Sequence, residues 1–294
     1  MTINKILKKY THKLESENIP NPQIDAEILL SYILKKPCEF LLTHPEKKLS
    51  KLLIASYSLL VTQRLKNIPI AYITKTKSFY GLDFYVNKNV LIPRPETELI
   101  IEEVLKTKTN ATIIDVGTGS GCIIITLAKL LENKKNKFFA IDISKKALSV
   151  ARKNAKLNNV NKKIKFLHGN LLEPILKNPK YLKYLNNPKN PIIITANLPY
   201  LTSTQIKNSP SIQSEPKMAL VAGNDGLKYY KIFFKQLNKL NNKNLDIKIL
   251  CEIDPSQTIK IKKLIKKELP KNKIQIKKDL RGQNRLIIIK SLIN

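Results

Sequence analysis

Residues 113–122, IIDVGTGSGC, constrain this chain more than any other stretch. An apolar run of strand length ends at Asp115, and Gly117, Gly119 and Gly121 follow at alternate positions. They lead directly into IIITLA, the start of an apolar helix. Glycines let a backbone turn sharply and approach a ligand closely, and a helix N-terminus favours an anionic group. A buried strand feeding a glycine loop and a helix opens an α/β sheet, and the rest of the chain continues the alternation. Strands are expected over 111–116, 137–141, 164–168, 192–196, 247–253, 274–277 and 285–290. Helices are expected over 121–131, 145–158, 227–239 and 256–268. The last two strands have no helix between them, so one of them should run antiparallel in an otherwise mainly parallel sheet. Residues 178–191, rich in Lys, Asn and Pro, read as a surface loop.

The sequence before Arg94 has a different character. Ile3, Ile6, Leu7 and Tyr10, then Ala26, Leu29, Leu30 and Ile33, then Leu49, Leu52, Leu53, Leu60 and Arg64 recur at helical spacing, broken by Pro20, Pro22, Pro37 and Pro45. Residues 78–93 are aromatic and β-branched, with Gly81 and 87–89 as turn signals, and read as a β-hairpin. The expected division is a helical bundle over 1–73, a hairpin linker over 74–93 and a catalytic domain over 94–294. The bundle carries no catalytic constellation, so its expected use is to hold a partner.

Composition excludes more than it identifies. The 294 residues carry 53 basic and 22 acidic side chains, a net charge of +31, which invites a nucleic-acid reading. Only five of the basic residues are Arg, the usual bidentate phosphate reader. The Lys residues are spread from end to end among Asn and Ile, which fits a compositional bias better than a dedicated binding stripe, so no specific nucleic-acid partner is expected. Cys38, Cys122 and Cys251 have no metal-ligand spacing, and neither do His12, His44 and His168; no metal site is expected. The N-terminus reads as an amphipathic helix rather than a signal peptide, and no apolar run is long enough to span a bilayer. A cytoplasmic location is the expectation.

A dinucleotide fingerprint needs G-x-G-x-x-G, whereas here the glycines fall as G-x-G-x-G and Cys122 takes the sixth place. This spacing resembles the S-adenosylmethionine loop of class I methyltransferases. Asp142 ends the next strand, where a carboxylate can accept from both ribose hydroxyls; it can also serve as a helix N-terminal acid before Ser144. Asn170 and Leu171, after the third strand, would sit beside the adenine, although a strand-end Gly-Asn is also an ordinary turn.

After the fourth expected strand comes Asn197-Leu198-Pro199-Tyr200, at the carboxyl edge where open α/β sheets bind ligands. Asn and Pro are turn residues in any case, but the quartet also suits methyl transfer to an amide or ring amine. The delocalised lone pair of such a nitrogen makes a poor nucleophile. The Asn197 side-chain oxygen and the Leu198 carbonyl could hold both N–H bonds and aim the nitrogen, with Pro199 fixing the backbone and Tyr200 stacking on the planar acceptor.

Read together, the chain resembles the protein-(glutamine-N(5)) methyltransferases that modify peptide-chain release factors. The resemblance is carried by Arg64, Pro69, Tyr72 and Ile73, by FYGLDFYVNKNVLIPRPETE (79–98), by DVGTGSGC, by Asp142, by Glu215-Pro216 through Leu227, and by CEIDPSQ and DLRGQNR. It implies a class I fold with an N-terminal helical bundle. The implied reaction is S-adenosylmethionine-dependent methylation of the glutamine side-chain amide in a Gly-Gly-Gln loop, with release factors as partners. Carried over by position, Gly117, Thr118, Gly119, Ser120, Gly121, Asp142, Asn170, Leu171 and Asn197 bind cofactor. Asn197, Leu198, Pro199 and Tyr200 bind and orient the glutamine, and Arg94, Pro95, Glu96 and Thr97 lie near the mouth of the site. Leu198 stands where the family usually has Pro, Asn170 where an acid is common, and Asp254 where Gly is usual. Asn-Leu-Pro-Tyr is also typical of rRNA adenine dimethylases, the alternative reading. Those enzymes place the cofactor loop near the N-terminus, whereas here about 110 residues precede it.

Overall fold

The structure, a computed structural model, describes residues 1–107, 110–132, 135–185, 191–240 and 245–291. The chain divides into two units, one of Met1–Thr76 with Ser209–Ser214 and one of Lys77–Asn208 with Glu215–Asn294.

The first unit is helical: α1 Ile3–Ser16, α2 Pro22–Leu34, α3 Cys38–Thr43, α4 Lys51–Leu65 and α5 Ile70–Thr74. The Thr2 hydroxyl caps α1 by accepting from the Lys5 N–H, and Ser50 caps α4 in the same way through Leu53. The apolar positions at helical spacing converge: Ile3, Ile6, Leu14, Leu29, Leu30 and Tyr57 are fully buried in one cluster. Two polar contacts inside this core are satisfied. The Tyr57 hydroxyl donates to the Ala26 carbonyl at 3.0 Å, and Arg64 Nε donates to Asp25 Oδ2 at 2.6 Å. Burial pushes the Asp25 carboxyl up, and the Arg64 guanidinium opposes that.

The chain passes into the second unit within β1 Thr76–Phe79, and β2 Leu82–Tyr85 follows. Tyr80 and Gly81 both have positive φ, 49° and 74°, as a two-residue turn of the I′ kind requires. The hairpin is shorter than the sequence suggests. Beyond Tyr85 the chain leaves the ladder, and Asn87 forms a turn by accepting from the N–H groups of Asn89 and Val90. Then come α6 Glu98–Leu105, β3 Thr112–Val116, α7 Cys122–Leu130, β4 Lys137–Asp142, α8 Lys145–Leu157 and β5 Ile164–His168. They are followed by α9 Glu173–Leu176, α10 Pro179–Leu185, β6 Ile192–Ala196, α11 Ser203–Lys207, α12 Lys228–Asn238, β7 Ile247–Glu252, α13 Thr258–Glu268, β8 Lys273–Lys278 and β9 Asn284–Lys290.

Seven strands form one sheet in the order β5-β4-β3-β6-β7-β9-β8, parallel except for β9, which runs antiparallel to both neighbours. The central strands β3, β4, β6 and β7 are buried on both faces, so they are largely apolar rather than alternating, whereas the edge strands β5 and β8 keep exposed positions. The period-2 pleat still sorts them. Ile114, Phe139, Ile194 and Ile249 join one core with α12 and α13, while Ile113, Phe138, Ile193 and Leu250 join the other with α6 and α7. The surface loop expected over 178–191 is corrected in part. Residues 179–185 are the helix α10, because Tyr181 and Leu185 sit one turn apart and pack toward Phe139 and the core; residues 186–190 lie outside the described residues. Among the described residues, no helix is long and apolar enough to cross a membrane.

Candidate active site

The order of the sheet fixes where a ligand can enter. β4 lies on one side of β3 and β6 on the other, so the connections diverge and open a crevice beyond the carboxyl ends of these strands. Register makes the edge a row. Val116 pairs with Ile141 and with Ala196, and Ala196 pairs with Cys251. One residue further on along each strand come Gly117, Asp142, Asn197 and Glu252. A single cleft lies over this edge. Its walls include Gly117–Ser120, Asp142, Asn170, Leu171, Asn197, Leu198 and Pro199, together with Arg94 and Thr97.

The glycine loop is held from inside. The N–H groups of Gly117 and Thr118 both donate to the Ile141 carbonyl at 2.9 Å, and that of Gly121 donates to the Thr118 carbonyl. The Gly119 N–H donates to Asp142 Oδ2 at 2.9 Å. These N–H groups are therefore spent on the protein and do not form the open amide cradle that a phosphate would need. Gly117, Gly119 and Gly121 all have φ between 55° and 82°, the left-handed region in which a side chain is strained. A Cβ on Gly117 would also press on Leu198 Cδ2 at 3.1 Å. Below the loop, Asp115 accepts from the Thr118 hydroxyl at 2.6 Å and the Thr195 hydroxyl at 2.8 Å. Burial pushes its carboxyl up to about 6, against those two hydrogen bonds.

Asp142 faces both the loop and the cleft. Its Oδ1 accepts from the Ser144 N–H at 2.8 Å and its Oδ2 from Gly119, so it does act as a helix N-terminal acid. Each oxygen keeps a second lone pair for a ligand hydroxyl. Burial raises its pKa and the backbone N–H groups of Ser144 and Gly119 lower it. Across the cleft, Leu171 has φ +53° although it carries a branched side chain. Strain of this kind concentrates at ligand sites.

The quartet after β6 is anchored at a residue the sequence reading left without a role. Asn197 Nδ2 donates to Glu252 Oε2 at 2.9 Å and to Thr97 Oγ1 at 3.2 Å. Thr97 Oγ1 in turn donates to the same Glu252 Oε2 at 2.6 Å, and the Tyr200 hydroxyl donates to Oε1 at 3.3 Å. Glu252 is 2% exposed; burial raises its pKa, against the Thr97 hydrogen bond and the Arg285 charge. The Tyr230 hydroxyl donates to the Glu252 carbonyl, which fixes the backbone at this point. Leu198 is 2% exposed and fills the space beside Gly117. Tyr200 is the one member of the quartet outside the cleft wall. Its ring packs against the core, and its carbonyl accepts from Gln257 Nε2 at 2.8 Å.

The Pro-Arg-Pro-Glu-Thr-Glu run turns through a short 3-10 helix, Pro95–Thr97, which delivers Thr97 to Glu252. Arg94 forms an ion pair with Glu215, whose other oxygen accepts from the Ile92 N–H at 3.0 Å. Asp254 accepts from the Ser256 N–H and hydroxyl and so caps the 3-10 turn that begins at Pro255.

Sequence and structure comparisons bear on this geometry. Residues 5–74 match the PrmC N-terminal domain and residues 107–186 match a methyltransferase domain. The chain is 35% identical to a release factor glutamine methyltransferase of Mycoplasma mycoides, over 98% of this chain and all of that one. It is 33% identical to one from Bacillus cereus, over 89% and 90%. It is also 35% identical to a bifunctional methyltransferase of Rickettsia bellii, over 98% of this chain but 54% of that protein, so it spans about half the length of that relative. Among solved structures, the human METTL16 catalytic domain in complex with a MAT2A 3'UTR hairpin aligns over 89% of this chain and 90% of that one, with TM-score 0.58 and 16% identity. At that identity the likeness is one of fold.

Proposed function

The chain belongs to the release factor glutamine methyltransferase family, and on that premise we propose that it methylates the side-chain amide of the glutamine in the Gly-Gly-Gln loop of peptide-chain release factors, in the cytoplasm, with S-adenosylmethionine as methyl donor. The observation that carries this reading is the single cleft in which the inward-bonded glycine loop, Asp142 and Asn197 stand together at one sheet edge.

The residues present fit such a cofactor. Gly117, Thr118, Gly119, Ser120 and Gly121 offer a close backbone surface without an anion cradle, which suits a ligand that carries no phosphate. Asp142 has lone pairs left for a ribose diol, and Asn170 and Leu171 line the wall for an adenine. When bound, the cofactor supplies an electrophilic methyl group on a sulfonium.

The protein's own part is positioning. Asn197 Nδ2 is bonded to Glu252 and Thr97, which leaves Oδ1 as an acceptor for the substrate. Oδ1 and the Leu198 carbonyl together hold the two N–H bonds of the glutamine amide. That directs the nitrogen lone pair along the line of transfer and favours the positive charge that develops there. Pro199 stiffens the turn. Tyr200, with its hydroxyl on Glu252, braces the quartet from the core side. The helical unit, Met1–Thr76, is the part proposed to recognise the release factor.

The test is to incubate the protein with methyl-labelled S-adenosylmethionine and either a release factor or ribosomal RNA, then to map the label by mass spectrometry. One methyl group on the Gly-Gly-Gln glutamine is the expected result. Label on an RNA adenine, with none on the factor, would replace this reading with the dimethylase one.

A further inference from the structure

An asparagine amide can face a cleft in two ways with opposite chemistry. With its oxygen outward it accepts N–H bonds and suits a primary amide; with its NH2 outward it donates and suits a carbonyl or carboxylate. Nothing in the covalent structure of Asn197 chooses between them. The choice is made behind it. Two donors converge on Glu252 Oε2, the Thr97 hydroxyl at 2.6 Å and Asn197 Nδ2 at 2.9 Å. An oxygen that accepts from both carries no proton of its own. The single hydroxyl proton of Thr97 is spent on Glu252, so its oxygen presents only lone pairs to Nδ2, at 3.2 Å. Asn197 therefore meets two acceptors, and both are buried, with Thr97 and Glu252 each 2% exposed. Turning the amide over would set Oδ1 against both of them away from water, the arrangement most costly to a buried polar group.

We propose that Glu252 is the positioning residue that fixes the Asn197 amide with its oxygen toward the cleft, and thereby selects a substrate that donates N–H bonds. The assignment rests on the proposed methylation of a glutamine amide and adds the group that decides its specificity. Glu252 acts through Asn197, with Thr97 as the relay. Its second oxygen holds the Tyr200 hydroxyl, so one carboxyl at the end of β7 braces both ends of the quartet. Glu252 can do this because β7 is the parallel neighbour of β6 and its register brings Glu252 level with Asn197.

The test uses the full chain and two readouts. The first is hydrogen exchange at the Asn197 side-chain NH2, followed by NMR and assigned by its loss in Asn197→Ala; it needs no methyl acceptor. The unmodified protein should show slow exchange. Glu252→Leu, similar in volume but with no acceptor, should speed it at least about tenfold, whereas Glu252→Gln, which keeps a carbonyl for Nδ2, should leave it slow. The second is single-turnover methylation of a release factor. Glu252→Leu should lower the rate about 100-fold with cofactor Kd within about twofold, and Glu252→Gln should recover most of that loss. In an Asn197→Ala background, Glu252→Leu should cost less than about threefold, because residues acting through one another are not additive. Should Glu252→Leu fail to fold, Thr97→Val reads the same coupling from the relay. Unchanged NH2 exchange in folded Glu252→Leu, or in Thr97→Val where that variant stands in for it, or losses that add in full to that of Asn197→Ala, would overturn the proposal. Absence of release-factor methylation by the unmodified protein would instead count against the proposed function, and the exchange readout would still decide the role of Glu252.

Discussion

Asp115 shows how much one carboxyl can cost at the base of a site. It is 1% exposed and, among the described residues, its carboxyl accepts from two hydroxyls; burial, against those two bonds, raises its pKa to about 6 in the folded protein, whereas it lies in the ordinary aspartate range when unfolded. The sign follows from linkage. A folded-state pKa above the unfolded value means that the stability is fully present below the unfolded pKa and is lost as pH rises through about 6. A gap of this size is worth about 3 kcal/mol. Asp115→Asn removes the titration, so urea unfolding of both proteins from pH 4 to 8 should show the parent losing on the order of 2–3 kcal/mol relative to the variant across that range. A constant difference would mean that Asp115 does not titrate there. At this scale the sequence was legible where chemistry and chain position coincide. Asp142 ends a strand directly after the glycine loop, and Asn197 opens a quartet with a recognisable task. Glu252 was not legible in the same way. CEID reads as the end of one more buried strand, and the partnership with Asn197 exists only through pairing of β6 with β7, two strands more than fifty residues apart in the chain.

At the scale of elements, Asn154 joins the hairpin to the glycine loop. It is fully buried on α8, and its side chain accepts from the Tyr85 N–H at 2.7 Å and donates to the Tyr85 carbonyl at 3.0 Å and the Ser120 carbonyl at 2.8 Å. Asn154→Ala leaves three backbone groups without that partner and should destabilise the protein by about 2–4 kcal/mol. Cofactor affinity should fall as well, since the Ser120 end of the loop loses its tether. Denaturant unfolding and calorimetric titration would read the two effects, and an unaltered Kd would separate the loop from the hairpin. The seven strands and the helices α7, α8, α12 and α13 followed from periodicity, with boundaries shifted by a residue or two, whereas α6, α9 and α11 were not expected. The misreadings have physical causes. Residues 86–93 have strand composition but no partner strand, and Asn87 takes their backbone into a turn. Residues 179–185 have loop composition but place Tyr181 and Leu185 on a helical face that a core was there to receive.

For the whole molecule, the division of labour proposed between the two units can be tested on the surface of the helical one. Leu52 and Leu59 are 77% and 67% exposed on α4, two turns apart on the same face. If this unit recognises the release factor, Leu52→Asp with Leu59→Asp should raise KM for the factor by roughly tenfold or more, the scale of losing one or two apolar contacts. Cofactor Kd should not change. A KM equal to that of the parent would remove this face from recognition. The net charge of +31 identified no partner from composition, and the sheet edge, with its register, does more to define the chemistry. The central claim is that Asn197 presents an acceptor that aims the substrate amide, and the most direct measurement is single-turnover methylation of a release factor at saturating cofactor by Asn197→Ala. Loss of one preorganised acceptor at the reacting nitrogen should lower the rate about 10²–10³-fold, roughly 2.7–4 kcal/mol; a rate near that of the parent would contradict the amide-orienting mechanism.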